Sequence, residues 1–211
     1  MGKQRLKHIK LPSSLISIGN GAFMGCKSLE SIEFSDGLKS IGNFAFGDCE
    51  NLKKICLPDG LFSIGNYAFA WCDSIQLVVI PSSVVSIGFN PFLYIINDIT
   101  VKCYSYLFEE DGNALYTRGK NYIISCYSKE HSFQIPNEVT RIGRASFKGC
   151  PFRELYIHDN IEQIGKNAFD GSNSKAYLYG YITTILVSKG RSDWAKKQVS
   201  NNIVVKEIDS L

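Results

Sequence analysis

Four of the seven cysteines in this 211-residue chain, Cys26, Cys49, Cys72 and Cys150, share one sequence context, and the first three are spaced 23 residues apart. Regular cysteines raise three chemistries: disulfides, metal ligation and thiolate nucleophiles. No Cys-x-x-Cys pair occurs, which argues against zinc and thioredoxin-type redox chemistry. Each of the four follows a phenylalanine by three residues, and a buried ladder of small, apolar side chains suits free cysteine well. Disulfides along such a ladder are conceivable, but rung-to-rung geometry rarely suits the bond. Cys56, Cys103 and Cys126 complete an odd total. His8, His131 and His158 are scattered and read as solvated surface histidines. The Glu109 to Asn113 stretch lacks the alternating ligands and distal Glu of a calcium loop and reads as a turn. There is no phosphate-binding loop, dinucleotide fingerprint or His-Glu-x-x-His string. No nucleophile has an evident base, so no catalytic, cofactor-binding or metal-binding residue is expected.

The spacing itself carries more than the side-chain chemistry. Ile-Gly-Asn-x-Ala-Phe begins at Ile18, Ile41 and Ile64, and Ile87-Gly88, Ile142-Gly143 and Ile164-Gly165 continue the pattern. A second column runs Ile9, Ile32, Ile55, Val78, Val101. A third runs Leu15, Leu38, Leu61, Val84, with Val139 and Ile161 later. Columns in register at a period of 23 signal a repeat architecture, in which one unit cannot bury its apolar face and a stack of units can. Within a unit, Ile32 and Phe34 are two apart and share one face of a strand. Pro or a small polar residue at 12, 35, 58, 81 and 136 ends that strand. A short second strand then leads to glycines 19, 42, 65, 88, 143 and 165, which turn the chain where a side chain would clash or where positive φ is needed. Phe23, Phe46, Phe69, Phe92, Phe147 and Phe169 point inward as a stacked spine.

The phase breaks between Val101 and Phe133. Ala114–Tyr116 and Tyr122–Cys126 read as two strands of an inserted hairpin across Arg118–Asn121. Ile135-Pro136 and Val139 then re-enter the repeat. After Phe169 the pattern decays. Ser192-Asp193 ahead of Trp194-Ala195-Lys196-Lys197 reads as a side-chain-capped short helix, and Ile203–Val205 as a last strand. These shield the C-terminal end, while the edge near Ile9 is comparatively bare.

Leu52-Lys53-Lys54-Ile55-Cys56-Leu57-Pro58, continuing through Ile64-Gly65 and Ala68-Phe69 to Cys72, resembles the unit of the BspA-like branch of the leucine-rich-repeat proteins. The likeness extends over most of residues 9 to 171 outside the insertion. Pro91 and Ile95 depart from it in the fourth unit. The resulting expectation is mostly β structure with irregular turns: a right-handed leucine-rich-repeat-type solenoid of about 23-residue units, as a single domain over 1–211. It comprises repeats at 8–101, an inserted hairpin region at 102–132, repeats at 133–180, and a C-terminal cap at 181–211 that contains the short helix. The resemblance implies a surface or secreted protein of a bacterium or protist with an adhesion-type, non-enzymatic role, and a protein or glycan partner on a host or neighbouring cell. A structural spacer or assembly unit of a larger surface protein is the alternative.

Bulk properties agree with a binding module. A formal net charge of +3 gives no reason to expect nucleic acid or an anionic membrane as partner. No apolar run approaches the ~20 residues of a membrane span. Met1–Lys10 lacks the apolar stretch of a secretory signal, so the chain either stays in the cell or is a mature or trimmed form. Function then rests on surfaces. Alternation sends His8, Ser31, Lys54, Leu77, Thr100, Ser132 and Glu154 outward, together with Lys10, Glu33, Cys56, Val79, Lys102, Gln134 and Tyr156. Leu77 and Val79 are out of place on a wet sheet face. With Lys54, Lys102 and Tyr156 they form the first candidate face, unless the inserted hairpin covers them. Phe44, Tyr67, Trp71 and Tyr94, in variable slots of the turns, form a second candidate, against which stands simple packing between neighbouring turns.

Overall fold

The computed structural model describes residues 6–95, 97–130, 132–151, 153–170 and 182–209. The repeats wind as a solenoid of about eight turns with two lines of short strands. The first line holds β1 (His8–Lys10), β3 (Ser31–Glu33), β5 (Lys54–Cys56), β7 (Leu77–Ile80) and β9 (Thr100–Cys103). β1 pairs with β3, and β5, β7 and β9 form a parallel sheet, with Ile55, Val78 and Val101 in register. The second line holds β2 (Ser17–Ile18), β4 (Ser40–Ile41), β6 (Ser63–Ile64) and β8 (Ser86–Ile87), again parallel and in register. These strands are two to four residues long, too short to persist alone, so each exists because its neighbours one coil away complete it.

The interior follows the columns. Leu29, Leu38, Leu52, Ile55, Leu61, Ile75 and Val78 are fully buried. The phenylalanine spine is present: Phe23, Phe46, Phe69 and Phe92 stack at centroid separations of 5.2, 5.5 and 6.2 Å. The spine then changes character. Tyr127 meets Phe92 edge-on at 5.9 Å, and Phe147 and Phe169 resume it with tilted rings 5.7 Å apart. The core divides at the same place into two large clusters, one around Phe46 and one around Phe147, with a small third cluster of Ala70, Leu93 and Tyr94 under the turns.

The insertion is larger than the expected hairpin. β10 (Phe108–Glu110), β11 (Ala114–Thr117) and β12 (Tyr122–Cys126) form an antiparallel meander, with an irregularity between Leu115 and Tyr116. β12 then pairs in parallel with β13 (Arg141–Ile142), and β13 with β15 (Gln163–Ile164), so the meander extends the second line of strands and the solenoid runs on through it. Glu109 and Glu110 lie in β10, not in the turn where the sequence placed them. An edge strand tolerates charged side chains, which also guard its free edge. The turn is Asp111–Asn113, closed by the Asp111 carboxylate accepting from the backbone N–H groups of Asn113 and Ala114, each at 3.1 Å.

Beyond it, β14 (Glu154–Ile157), β16 (Thr184–Ser188) and β17 (Val204–Ile208) form the last parallel sheet. The expected boundary between repeats and cap, 180/181, falls outside the described residues. The short helix α1 (Ser192–Gln198) exists, but its cap differs from expectation. Arg191 occupies the N-cap position without a side-chain bond, and the Glu207 carboxylate of β17 accepts from Gly190 and Ser192 N–H groups at 3.0 and 3.2 Å. A carboxylate at a helix N-terminus satisfies orphan donors whichever element supplies it.

Candidate functional site

Register assembles most of the first candidate face. Lys54 pairs with Leu77 and Leu77 with Thr100; Cys56 pairs with Val79 and Val79 with Lys102. Lys54, Cys56 and Lys102 are exposed, and Leu77 and Val79 are half-buried. The meander joins the other line of strands, so it does not extend this sheet. Tyr156 belongs to the separate β14–β16–β17 sheet, where its hydroxyl is 3.1 Å from that of Ser188. The structure therefore brings together four of the five residues.

The second candidate rests on an unusual backbone. Phe44, Tyr67, Trp71 and Tyr94 all have positive φ, between 52° and 57°. They occupy two columns, the third and seventh residues after the Ile of each Ile-Gly pair. The same columns hold Gly21, Gly25 and Gly149, and also Asp48, Asn90 and Asn167, all at positive φ. Gly, Asn and Asp enter this region cheaply, whereas bulky residues there are genuine outliers. Ring stacking offsets the cost: Phe44 meets Tyr67 at 5.0 Å and Trp71 at 6.3 Å, and Trp71 meets Tyr94 at 5.8 Å. Turn-to-turn packing is thus present. Tyr94 is only 2% exposed, but Phe44, Tyr67 and Trp71 remain half-buried and form a surface.

The ladder cysteines perform no visible chemistry. None of the seven is in a disulfide. The Cys49 thiol donates to the Phe23 carbonyl at 3.2 Å and the Cys72 thiol to that of Phe46 at 3.0 Å. Cysteine is favoured here as a small side chain that also satisfies a carbonyl of the coil beneath. Burial pushes the Cys72 and Cys126 thiols well above their usual range, the opposite of an activated nucleophile. Among the described residues no group of three or more His, Cys, Asp or Glu side chains could hold a metal ion.

Sequence reasoning passed over an asparagine ladder. The Asn20 and Asn43 side-chain oxygens accept from the N–H groups of Asn43 and Asn66 at 2.7 Å, and that of Asn66 from Phe89 N–H at 2.8 Å. The asparagine in Ile-Gly-Asn was itself the signal.

His158 is a correction. It was expected on a wet surface, but it is 8% exposed, in the slot used elsewhere by Pro or Ser, and its Nε2–H donates to the Pro136 carbonyl at 3.0 Å. His131 lies outside the described residues. Burial, with the Arg191 cation adding to it, holds the His158 pKa below its ordinary 6.5. The unfolded chain therefore binds this proton first, so the stabilisation is complete above pH 6.5 and is lost as pH falls toward the folded value. Thermal melts should show a midpoint falling between pH of about 7 and 5.5, above the carboxylate range. His158→Gln should flatten that segment, and an equally steep slope in the variant would remove His158 from this role.

Two lines of in-register parallel strands joined by glycine turns define a leucine-rich-repeat solenoid. The BspA type leucine-rich-repeat region matches residues 1–110 and 117–185 in six copies, and the chain belongs to that family. Solved structures share the fold. The pneumococcal vaccine antigen PcpA is 17% identical with a TM-score of 0.56, covering 97% of this chain and 80% of its own. A leucine-rich-repeat protein of Eubacterium ventriosum is 20% identical with a TM-score of 0.59, over 90% and 62%. One from Bacteroides ovatus is 25% identical with a TM-score of 0.54, over 95% and 51%, so this chain spans about half of that protein's length. No curated protein matches the sequence. Among the described residues no helix is long and apolar enough to cross a membrane.

Proposed function

We propose that this chain is a protein- or cell-surface-binding module of the adhesion type. It acts through a rigid extended face and without a chemical step. The observation that carries the reading is Leu77 and Val79, an apolar pair half-buried on an otherwise polar sheet face and flanked by Lys54 and Lys102. An apolar centre inside a charged rim is the usual anatomy of a protein-binding patch. Family membership, and a structural relative that is a vaccine antigen, support a place on the cell surface or among secreted proteins. The partner in this reading is a protein or glycan on a host or neighbouring cell.

The test is binding of the purified chain to a panel of matrix proteins and whole cells. Val79→Glu should weaken a saturable interaction by roughly thirtyfold, a cost of about 2 kcal/mol. Its melting midpoint should stay close to that of the parent, because Val79 points out of the sheet and lies outside the buried core. Equal binding by the variant would remove this face from the account.

A spacer or assembly role is favoured by one feature. Ile9, Leu15 and Phe23 of the first coil are only partly buried, and a Cβ built on Gly19 would meet nothing within 4 Å. That end could pack against another coil. Light scattering that finds a monomer at high concentration would count against it.

A further inference from the structure

Several cations on this solenoid are paired with carboxylates, those of the first coils across the coil boundary. Lys7 and Lys53 flank Glu30 at 3.1 and 3.3 Å, Lys27 meets Glu50 at 2.7 Å, Lys10 meets Glu33 at 3.2 Å, and Arg118 meets Glu109 at 3.3 Å. The turn side of the later coils is different. Arg144, Lys148 and Lys166 have no carboxylate within ion-pair distance among the described residues. Asp170 acts on Lys148 only at longer range, and its carboxylate accepts from the Ser200 hydroxyl. Arg144 and Lys148 lie instead over aromatic rings, 5.5 Å from the Phe89 centroid and 5.8 Å from that of Tyr94. Lys166 is exposed one coil further on, its carbonyl accepting from Ala145 N–H at 3.3 Å.

The insertion places these cations beside the aromatic turns. On this side the coil of Ile142 abuts that of Ile87. The Asn90 side chain donates to the Ala145 carbonyl at 2.6 Å, and a Cβ on Gly149 would lie 2.9 Å from the Tyr94 ring. Tyr94 stacks on Trp71, and Trp71 on Phe44, so an aromatic strip runs directly into a cationic one.

We propose that this turn-side strip, from Trp71 and Phe89 to Arg144, Lys148 and Lys166, is a docking surface for an extended acidic polysaccharide. Three physical arguments lead there. Trp71 lies between Phe44 and Tyr94, and cations lie over Tyr94 and Phe89, so the strip presents mainly ring edges, the positive end of the aromatic quadrupole. Arg144, Lys148 and Lys166 give the strip a net positive charge beside the single carboxylate of Asp170, and so complement an anion. Backbone N–H groups on this side are already used coil to coil, for example Phe44 to Asn66, Tyr67 to Phe89 and Trp71 to Leu93, so a partner strand has no main chain to pair with. With the Trp71 and Tyr94 faces taken up by stacking and Arg144 over Phe89, the strip offers no run of free ring faces for successive bases, which disfavours nucleic acid. A linear polymer with repeating carboxylate or sulfate groups needs neither feature. With coils about 4.8 Å apart, the strip runs about 15 Å, a few sugar rings.

The experiment is calorimetric titration of the intact chain with a heparin-derived octasaccharide and an oligogalacturonate, at near-physiological salt. A neutral dextran oligomer, a polyglutamate peptide and an oligothymidylate serve as competing probes. At least one acidic glycan should bind saturably, more weakly as salt rises, and more tightly than the other three probes. Arg144→Glu with Lys148→Glu should reduce that affinity at least tenfold, and the neutral pair Arg144→Gln with Lys148→Gln should also reduce it. Lys10→Glu with Lys206→Glu, the same charge change far from the strip, should leave it nearly intact. Absence of saturable binding by both acidic glycans would overturn the proposal. So would equal losses in the two reversed pairs, or tighter binding of polyglutamate or oligothymidylate. None of these results bears on the Leu77–Val79 face, whose test uses protein and cell probes.

Discussion

Phe46→Ala is expected to cost about 3 to 5 kcal/mol, the largest loss available from one side-chain truncation in the first half of the solenoid. Phe46 has no exposed surface. Its ring lies between Phe23 at 5.2 Å and Phe69 at 5.5 Å, both nearly parallel, with Phe34 edge-on at 5.9 Å. Its own backbone carbonyl accepts the Cys72 thiol. A coil this thin cannot close over the gap, because the surrounding backbone is held in register by ladders on both sides. Phe23 stacks on one neighbour only and is half-buried, so Phe23→Ala should cost clearly less. Urea melts of the two variants provide the comparison. The division of the core adds a spatial prediction: amide exchange in Phe46→Ala should accelerate around Ile41, Ile55 and Ile64 and much less around Ile142, Leu155 and Ile185. An unchanged melting midpoint would remove the spine as a source of stability, and uniform acceleration would show one cooperative core rather than two.

The parts of this fold that were readable in sequence are those fixed by one residue type per coil. Ile, Leu, Gly and Phe columns recur because each coil meets the same neighbour in the same way, so packing repeats with period 23 and leaves its trace in the chain. Interactions made once leave no such trace. Glu207 caps α1 from a strand later in the chain, and nothing near Ser192 announces it. Glu109 and Glu110 read as a turn because their edge position depends on a meander that only the fold defines. The first candidate face was readable for the same reason as the core, since alternation within a strand fixes which residues point out. Tyr156 was misplaced beside it because residues 132–136, between β9 and β14, form no ladder strand that would link the two sheets. The aromatic columns were half-readable. Gly21, Gly25 and Gly149 stand in register with Phe44, Tyr67, Trp71 and Tyr94, and a column that alternates glycine, asparagine and bulky rings marks a left-handed backbone. The cations beside those rings were hidden, because only the fold brings the coil of Ile142 against that of Ile87.

Gly65→Ala should be among the most damaging of the smallest substitutions, although it adds a single methyl group. The sequence left two reasons open for these glycines, positive φ or close approach. The structure chooses close approach: Gly65 is not among the residues of positive φ, yet a Cβ there would sit 2.5 Å from the Gly42 carbonyl carbon and 2.6 Å from Asn43 N. The obstacle is backbone, held by the Gly65 N–H to Ile41 carbonyl bond at 2.8 Å and by the Asn43 side chain accepting from Asn66 N–H. Relief requires the two coils to separate, which strains the β4–β6 ladder and the Phe46–Phe69 stack together. The cost should reach or exceed the ~1–3 kcal/mol typical of overpacking, since no flexible side chain can yield. Gly19 supplies the control within the same column. With nothing within 4 Å of its Cβ position, Gly19→Ala should be neutral or slightly stabilising, through lower chain entropy when unfolded. Melting both variants alongside the parent separates the causes. If conformation were what required glycine, the two would lose stability alike; if contact between coils requires it, only Gly65→Ala will.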